Sequence, residues 1–385
     1  MSFLTNLTAA FKGGEPDRVP IARGFRSPWA TAFDGGSARA PFDYNRAITH
    51  SFVQNPVAQR AVRIVAEGVG SAPVNCSDDT LAKLVAATSA GQSLIETLAM
   101  HLLLHGNAYV QIMKGADNRP IELFALRPER VSVVPGADGW PAAYEYRLTD
   151  RTLALPLEDE AGWPNIIHLK SIHPADDHYG AGTLAAAEQA VAIHNAAMVW
   201  NRALLENAAR PSGALVFDNG EAGGLTGEQF DRLKAELTDA YTGQVNAGRP
   251  MLLEGGLDWK AMSLSPADMD FATLKAAAAR DIALAFGVPP MLLGLPGDNT
   301  YANYREANKA LWRLTLLPLS DKIFGALRQG LAGWFGEATL AVDPDRITAL
   351  SEDRERLWAQ VSAAEFLSDA EKRDMLGLDD GKDKS

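Results

Sequence analysis

The sequence predicts an α+β protein, with helices and short strands in separate stretches of the chain. Residues 108–170 contain short apolar runs separated by turn residues, a pattern typical of an antiparallel or mixed sheet. Residues 183–208, 265–287 and 301–332 carry apolar residues at helical spacing over long distances. Between the first two of these helices, residues 209–264 form an insert that shows both helix and strand patterns.

The N-terminal part of the chain predicts little regular structure before the first helix. Residues 14–50 are rich in Gly, Pro, Ser, Arg and Asp without clear periodicity, so residues 1–50 are expected to form a mobile arm. The first helix is predicted to begin at Asn55–Pro56, because asparagine caps helices and proline fits their first turn. A second helix is predicted from Ser93 to His105, ended by a glycine.

The predicted strands are short apolar runs bounded by turn residues. They are 108–113, 121–126, 131–134, 144–148 and 166–169. The helix that follows, 183–208, carries Ala187, Val191, His194, Met198 and Leu205 close to heptad spacing, and its opposite face is rich in alanine. A helix that is apolar nearly all round is packed on several sides, and neighbouring subunits are one source of such contacts.

The insert 209–264 is predicted to be a compact α/β module. A strand is expected at 213–217, and a capping box at Thr226–Gln229 opens a helix. Four apolar residues share one face of that helix: Phe230, Leu233, Leu237 and Tyr241. Two further strands are predicted around Gly255–Gly256.

The C-terminal third is predicted to be mostly helical. Ser265 caps a helix that Gly287 and Pro289–Pro290 end, with Leu274 on its apolar face, and a loop follows to about Thr300. The next helix starts near Tyr301, and its apolar stripe is Tyr304, Ala307, Leu311 and Leu314. Pro318 is predicted to kink this helix, and two capped helices are expected to begin at Ser351 and Ser368.

Composition limits the function. The 385 residues carry a formal net charge of −12, which argues against gripping nucleic acid through its phosphates, since such binding requires Lys and Arg. DNA that slides past without being held is compatible with this charge. The single cysteine, Cys76, cannot form an intrachain disulfide. No run of about 18 uncharged apolar residues occurs, so no membrane span is expected.

Residues that could carry chemistry are few. His168, His173 and His178 stand five residues apart and suggest, as an alternative function, a metal-dependent hydrolase. Five-residue spacing does not place side chains on one side of a helix, and on a strand alternate residues face opposite ways. No Walker-type phosphate loop and no Gly-x-Ser-x-Gly nucleophile motif appears. The pattern favours a protein without catalytic, cofactor-binding or metal-binding residues.

Several runs in a fixed order resemble the portal proteins of long-tailed phages, including those of gene transfer agents. The runs span roughly residues 50–340, and each is weak alone, whereas their order and spacing are specific. They are Asn55–Val57 with Arg60–Val62, Leu103–Tyr109, Leu126–Val131, Tyr179–Gly180, Asn207–Gly213, Ser263–Asp268, Ala283–Leu293, Thr300–Asn303 and Leu316–Pro318.

The resemblance implies a division of the chain into the parts of a portal subunit. These are the wing (51–182 and the kinked helix of 301–345), two stem helices (183–208 and 265–287), the clip (209–264), the tunnel loop (288–300) and a short crown and tail (346–385). The tip of the tunnel loop, which would project into the DNA channel, comprises Leu295, Pro296, Gly297, Asp298, Asn299 and Thr300.

The resemblance also implies partners and a location. Portal rings contain twelve subunits at one capsid vertex, contact the major capsid protein, and let double-stranded DNA pass during packaging and ejection. The clip would meet the terminase large subunit and later the head-to-tail adaptor. The particle, a virion or a phage-like particle, would be assembled in the bacterial cytoplasm, without a membrane partner. Another structural ring, such as a connector, stays open as an alternative.

Overall fold

A computed structural model describes residues 44–89, 91–206, 213–217, 226–228, 231–232, 234–235, 257–261, 271–297 and 300–376. The helices are α1 (Tyr44–Ile48), α2 (Pro56–Gly70), α3 (Asp79–Val85), α4 (Leu94–Leu104), α5 (Thr183–Glu206), α6 (Phe271–Ala285), α7 (Tyr301–Leu311), α8 (Leu317–Phe335), α9 (Ser351–Ala363) and α10 (Asp369–Met375). The strands are β1 (Val74–Cys76), β2 (Thr88–Ser89), β3 (Gln92–Ser93), β4 (Asn107–Lys114), β5 (Pro120–Leu126), β6 (Val131–Pro135), β7 (Pro141–Arg147), β8 (Thr152–Pro156), β9 (Ile166–Lys170), β10 (Gly213–Phe217), β11 (Leu257–Ala261) and β12 (Leu340–Val342).

The chain divides into two units, and both are built from distant stretches of sequence. One unit combines the stretch from Val65 to Thr183 with the stretch from Trp312 onward. The other combines Asn45–Ile64 with Leu184–Leu311. Among the described residues, no helix is both long enough and apolar enough to cross a membrane.

Two three-stranded antiparallel sheets form the centre of the first unit. Their strand orders are β5–β4–β9 and β6–β7–β8. Side chains from both sheets meet in one buried cluster, because alternate residues of each strand face the same side. The cluster consists of Tyr109, Leu126, Val131, Tyr144 and Ile166. The sheet predicted between residues 108 and 170 is therefore present as two antiparallel sheets.

Helices cover the other face of the β5–β4–β9 sheet. Helix α4 contacts β4 and β5, and α8 contacts β9. Helix α8 packs closely against β9 at Gly330. A Cβ added to this glycine would lie only 2.5 Å from Ile167 Cγ1, which is too close for any larger residue without a shift. Ile323, Leu327 and Leu331, which follow one another at helical spacing on α8, are fully buried. This sandwich of helix, sheet and sheet holds the core of the first unit.

Local signals at helix ends are confirmed. Asn55 caps α2, since its Oδ1 accepts hydrogen bonds from the backbone N–H groups of Val57 and Ala58 at 3.1 and 2.9 Å. Ser93 caps α4, and Ser368 forms a capping box with Glu371 at the start of α10. Ser351, expected as a cap, is instead the first residue of α9.

The predicted arm is wrong at its C-terminal end. Residues 1–43 lie outside the described part, but Tyr44–Ile48 is α-helical and Thr49–Val53 continues as π-helix. Tyr44 packs its ring edge-on against His105, with the ring centroids 4.9 Å apart. Ala47 and Ser51 are buried. Helical spacing of these three residues was present in the sequence, but the pattern is short and follows a stretch rich in Gly and Pro.

Several short elements were not predicted, among them β1, α3 and β8. Strand β1 pairs with β12 at the other end of the chain in the register Val74↔Val342. Helix α3 follows directly, capped by Asp78. Strand β8 completes the second sheet. Each is only a few residues long, and β1 depends on a partner that periodicity cannot reveal.

Several predicted apolar stripes are shifted in this chain. On α5, Ala187, Val191 and His194 are buried as predicted, whereas Met198 is 37% exposed. The predicted face of α6 also included Phe271, Ala278, Ile282 and Ala285. Ala278 and Ile282 are buried as predicted, whereas Leu274 is exposed, as are Tyr304 and Leu314 beyond it. The chain becomes a π-helix at Trp312–Leu316, and Pro318 stands in the first turn of α8, so the irregularity that the proline predicted falls just before it.

The insert is described only in part. Its outer strands, β10 and β11, pair antiparallel from Gly213↔Ala261 to Phe217↔Leu257, which confirms strands at both predicted places. Residues 227–228, 231–232 and 234–235 are helical, following Thr226 as predicted. The four predicted core residues of this helix and the strand at 251–253 lie outside the described residues, as do Ser265 and its predicted cap.

Candidate functional site

The loop after α6 starts from a well-anchored end. Phe286 and Val288, on either side of Gly287, are each 2% exposed. Gly287 has φ +65°, a left-handed conformation that glycine adopts without strain and that ends the helix as predicted. The predicted loop is not irregular throughout, because Pro290–Leu293 forms a 3-10 helix that Gly294, with φ +73°, terminates.

Two hydrogen bonds tie the next residues of the loop. The Leu295 N–H donates to the Pro290 carbonyl at 3.2 Å, which closes the 3-10 turn. The Arg280 side chain, on α6, donates through Nη2 to the Pro296 carbonyl at 2.8 Å. Gly297 is exposed, and a Cβ there would meet nothing within 4 Å. Asp298 and Asn299, both predicted for the tip, lie outside the described residues.

Thr300 ends the loop as the cap of α7. Its Oγ1 accepts from the Asn303 N–H at 3.2 Å, and its carbonyl accepts from the Tyr304 N–H at 3.0 Å. Tyr301, at the start of the helix, is 79% exposed, and the Arg305 guanidinium lies 5.6 Å from the centroid of its ring. Residues 295–297 and 300, all predicted for the loop tip, therefore lie in the loop between α6 and α7.

Arg280 was not predicted to be part of this loop. The described part of the loop is held by this arginine, which lies sixteen residues before Pro296. An exposed arginine on a helix gives no signal of its own, because its partner is a backbone carbonyl. Chemically, the described part of the loop offers exposed backbone groups, prolines and a nearby guanidinium.

The buried histidine of α5 is held by polar partners. Asn55 Nδ2 lies 3.2 Å from His194 Nδ1 and donates to Asn195 Oδ1 at 2.9 Å, so the cap of α2 also contacts α5. Burial lowers the pKa of His194, and the charge of Lys275 lowers it further. The heptad position that His194 occupies is therefore filled by a neutral, hydrogen-bonded ring rather than by a charged one.

The three histidines of the alternative function do not form a metal site. His168 stacks on Tyr109, with ring centroids 4.3 Å apart, and hydrogen bonds with Tyr144 and Asn107 use both of its ring nitrogens. His173 Nδ1 accepts from the Ala175 backbone N–H at 3.2 Å. Within the part of the chain that the structure describes, no three His, Cys, Asp or Glu side chains are placed to hold a metal ion. The hydrolase alternative has no support from this arrangement.

Comparison with known proteins agrees with the resemblance drawn from the sequence. The model of the family "Phage portal protein" matches residues 56–377. A chain in the virion of a native gene transfer agent particle is 46% identical, with a TM-score of 0.68, over 91% of this chain and 98% of that one. The probable portal protein of Streptomyces phage phiC31 is 24% identical over 330 residues, 76% of this chain and 70% of that protein.

The solved portal fold matches as well. An HK97 family phage portal protein from Corynebacterium diphtheriae has a TM-score of 0.56, at 18% identity, covering 78% of this chain and 94% of that one. This similarity confirms the predicted α+β portal fold. The family model spans most of the 385 residues. The chain therefore belongs to the phage portal protein family.

Proposed function

We propose that twelve copies of this chain form a ring at one vertex of a phage or gene transfer agent particle. The observation that carries the proposal is a relative 46% identical over 91% of this chain, from the neck of a native gene transfer agent particle computed with C12 symmetry. Identity at this level over nearly the whole length supports a shared assembly. Head-to-tail contacts between identical subunits close into a ring when the rotation per subunit divides a full turn.

The surface of the single chain supports contacts with further copies. Val199 on α5 is 68% exposed, and Leu284 on α6 is 78% exposed. Both lie on helices that would be stem helices, where a neighbouring subunit would cover them. Exposed apolar side chains on long helices are typical of interaction surfaces when they cluster.

Native mass spectrometry and electron microscopy of the purified protein test the ring. We expect a species of about twelve subunits, or a closely related ring, with an axial hole. Replacing Val199 with Glu should weaken ring formation without unfolding the subunit, because an exposed residue contributes little to the fold. A wild-type protein that stays monomeric under all conditions and in isolated particles contradicts the proposal.

The parts of the portal subunit extend this proposal. The wing would comprise 51–182 and 301–345, the stem 183–208 and 265–287, the clip 209–264, the tunnel loop 288–300, and the crown and tail 346–385. The clip would bind the terminase large subunit and then the head-to-tail adaptor, and the outside of the ring would contact the major capsid protein. The β10–β11 pair between α5 and α6 supports a separate clip module.

The ring would serve as the channel for DNA in packaging and ejection, as a structural protein and not as an enzyme. The net charge of −12 supports weak contact with DNA, since like charges repel phosphates. The complex would assemble in the bacterial cytoplasm and remain in the particle.

The loop tip tests the channel. Asp298, repeated around the ring, would face the phosphates, and replacing it with Lys would exchange repulsion for attraction. Asp298→Lys should therefore increase DNA retention and slow packaging, most strongly at low salt, where charges are less screened. The measurement is packaged DNA per particle at two salt concentrations.

The control for this experiment is Asp321→Lys, which makes the same charge change at an exposed position on α8. We expect this variant to package as the wild type does. If Asp298→Lys particles contain intact rings and package like the control at both salt concentrations, Asp298 does not line the channel.

A further inference from the structure

The segment between β9 and α5 is a loop whose two ends meet. The Ser171 N–H, directly after β9, donates to the Gly106 carbonyl at 2.8 Å. Gly180 lies against the same carbonyl, so closely that a Cβ on Gly180 would overlap it. Both ends of the loop 171–180 therefore lie against the turn between α4 and β4, an arrangement typical of surface loops whose ends are close together.

Asn107 closes this loop with its side chain. The residue is 1% exposed. Its Oδ1 accepts from the Gly180 N–H at 2.7 Å, and its Nδ2 donates to the Gly180 carbonyl at 3.2 Å. One amide thus pairs with both backbone groups of Gly180, as a neighbouring strand would. Buried backbone groups need such partners, so removing the amide leaves two of them unsatisfied.

Two histidines set the orientation of the Asn107 amide. His168 Nε2 lies 3.1 Å from Oδ1, and Nδ2 lies 3.2 Å from His105 Nδ1. An amide oxygen only accepts and an amide nitrogen only donates. His168 must therefore carry a proton on Nε2, while His105 must present a bare Nδ1. With the Tyr144 hydroxyl 3.3 Å from the other nitrogen of His168, this set of bonds fixes which way the amide faces.

Close packing fastens the residues on both sides of Gly180. The Tyr179 hydroxyl accepts from the Val133 N–H at 2.8 Å, which ties this residue to the second sheet. At Gly182, a Cβ would lie 2.7 Å from the Leu104 carbonyl oxygen, so only glycine fits there without a shift. Helix α5 begins at the next residue, Thr183.

We propose that Asn107 is a positioning residue that fixes residues 179–182, the stretch of the first unit that leads into helix α5, on the sheet of that same unit. Together with Gly180 and Gly182, it forms a joint, here called the Asn107 clasp, that leaves residues 179–182 little freedom.

Amide hydrogen exchange measured on the folded protein tests the clasp. Asn107→Leu has a similar volume but no hydrogen-bonding groups, so the Gly180 N–H loses its acceptor. We expect exchange at Gly180 and through the first turn of α5 to accelerate by roughly tenfold or more. Asn107→Asp keeps the acceptor but loses both donors, and should give a smaller acceleration at the same amides.

Asn165→Leu is the matched control for a general loss of stability. Asn165 also makes two side-chain hydrogen bonds in this unit, accepting from Lys114 Nζ at 3.0 Å and donating to the Pro156 carbonyl at 3.3 Å. Neither of these partners is a residue of the clasp. This variant should unfold at a lower temperature without changing exchange at residues 180–186. If Asn107→Leu leaves those amides unchanged, or if both variants accelerate them equally, Asn107 does not fix residues 179–182.

A steric variant tests the same joint if Asn107→Leu does not fold. Gly182→Ala keeps every hydrogen bond of Asn107 but pushes against the Leu104 carbonyl, and should accelerate exchange over the same residues. Gly325→Ala, on α8, is its control, because a Cβ at Gly325 meets nothing within 4 Å. Equal exchange profiles for the two alanine variants would refute a joint at residues 180–182.

Discussion

At the scale of single residues, His168 shows how burial converts an ionisable group into a structural one. Burial, helped by the charge of Lys170, lowers the pKa of His168 to about 3. The ring is therefore neutral in the folded chain at any pH near 7, as its two hydrogen-bond partners require. In the unfolded chain the same ring would take up a proton near its ordinary pKa of about 6.5.

This difference predicts acid sensitivity with a definite sign. Below pH 6.5 the unfolded chain binds a proton that the folded chain does not bind until about pH 3, so the free energy of unfolding falls across this window as pH falls. Within this window, a single group changes the free energy of unfolding by about 1.4 kcal/mol per pH unit. Urea unfolding at pH 7 and pH 4.5 should show a smaller pH dependence for His168→Gln than for the wild type.

The exposed histidine of the neighbouring loop is the control. His173→Gln removes an imidazole that is solvent-exposed and accepts a hydrogen bond within its own loop, so it matches the chemical change without touching the buried site. An equal pH dependence for His168→Gln and the wild type would show that His168 is not the group responsible. Buried His101, whose pKa is lowered to about 4, should make the free energy of unfolding depend on pH in all of these variants as well.

At the scale of elements, the loop between α6 and α7 is held differently along its length. Its first turn is a 3-10 helix and its end is a capped helix start, whereas Pro296 is tied by the exposed Arg280 side chain. Arg280→Gln shortens the side chain and should release this tie. Because an exposed hydrogen bond contributes about 1 kcal/mol or less, we expect a several-fold faster exchange at residues 294–297 with an unchanged melting temperature.

Arg328→Gln provides the comparison for the Arg280 variant. It removes one positive charge from an exposed position on α8, in the other unit, and should not alter exchange in the loop. Unchanged exchange at residues 294–297 in Arg280→Gln would mean that the 3-10 turn alone holds the loop.

Helix ends were the most predictable elements. Asn55, Ser93, Gly106 and Gly287 act through bonds or conformations within a few residues, so their chemistry is readable from the sequence. Apolar stripes were less predictable where a helix is apolar on several faces, and Leu284, at 78% exposure, illustrates this for α6. A periodic pattern then marks more than one face, and only the packing decides which one is buried.

The candidate site was predictable in place but not in its contacts. Glycines and prolines located the loop 288–300, because they stop one helix before the next begins. The Arg280 tie and the Asn107 clasp were not predictable, since each joins a side chain to a backbone group far away in sequence. Backbone groups are the same at every residue, so the sequence carries no mark of which carbonyl or N–H a side chain will reach.

At the scale of the whole molecule, function was inferred from order rather than from any one motif. The runs from Asn55 to Pro318 predicted a portal protein, and the family model covers residues 56–377. The acidic balance of the chain is compatible with the proposed DNA channel, which would not hold DNA tightly.

The pairing of β1 with β12 has a consequence for how the protein is made. Val74 meets Val342, and the stretch that forms the whole second part of the first unit, from Trp312 onward, is synthesised after residues 184–311. The ribosome must therefore translate nearly the entire chain before the first unit can close. Until then, the nascent β1 edge and the face of the sheet that awaits α8 remain open, and a cell must keep this chain from aggregating during synthesis.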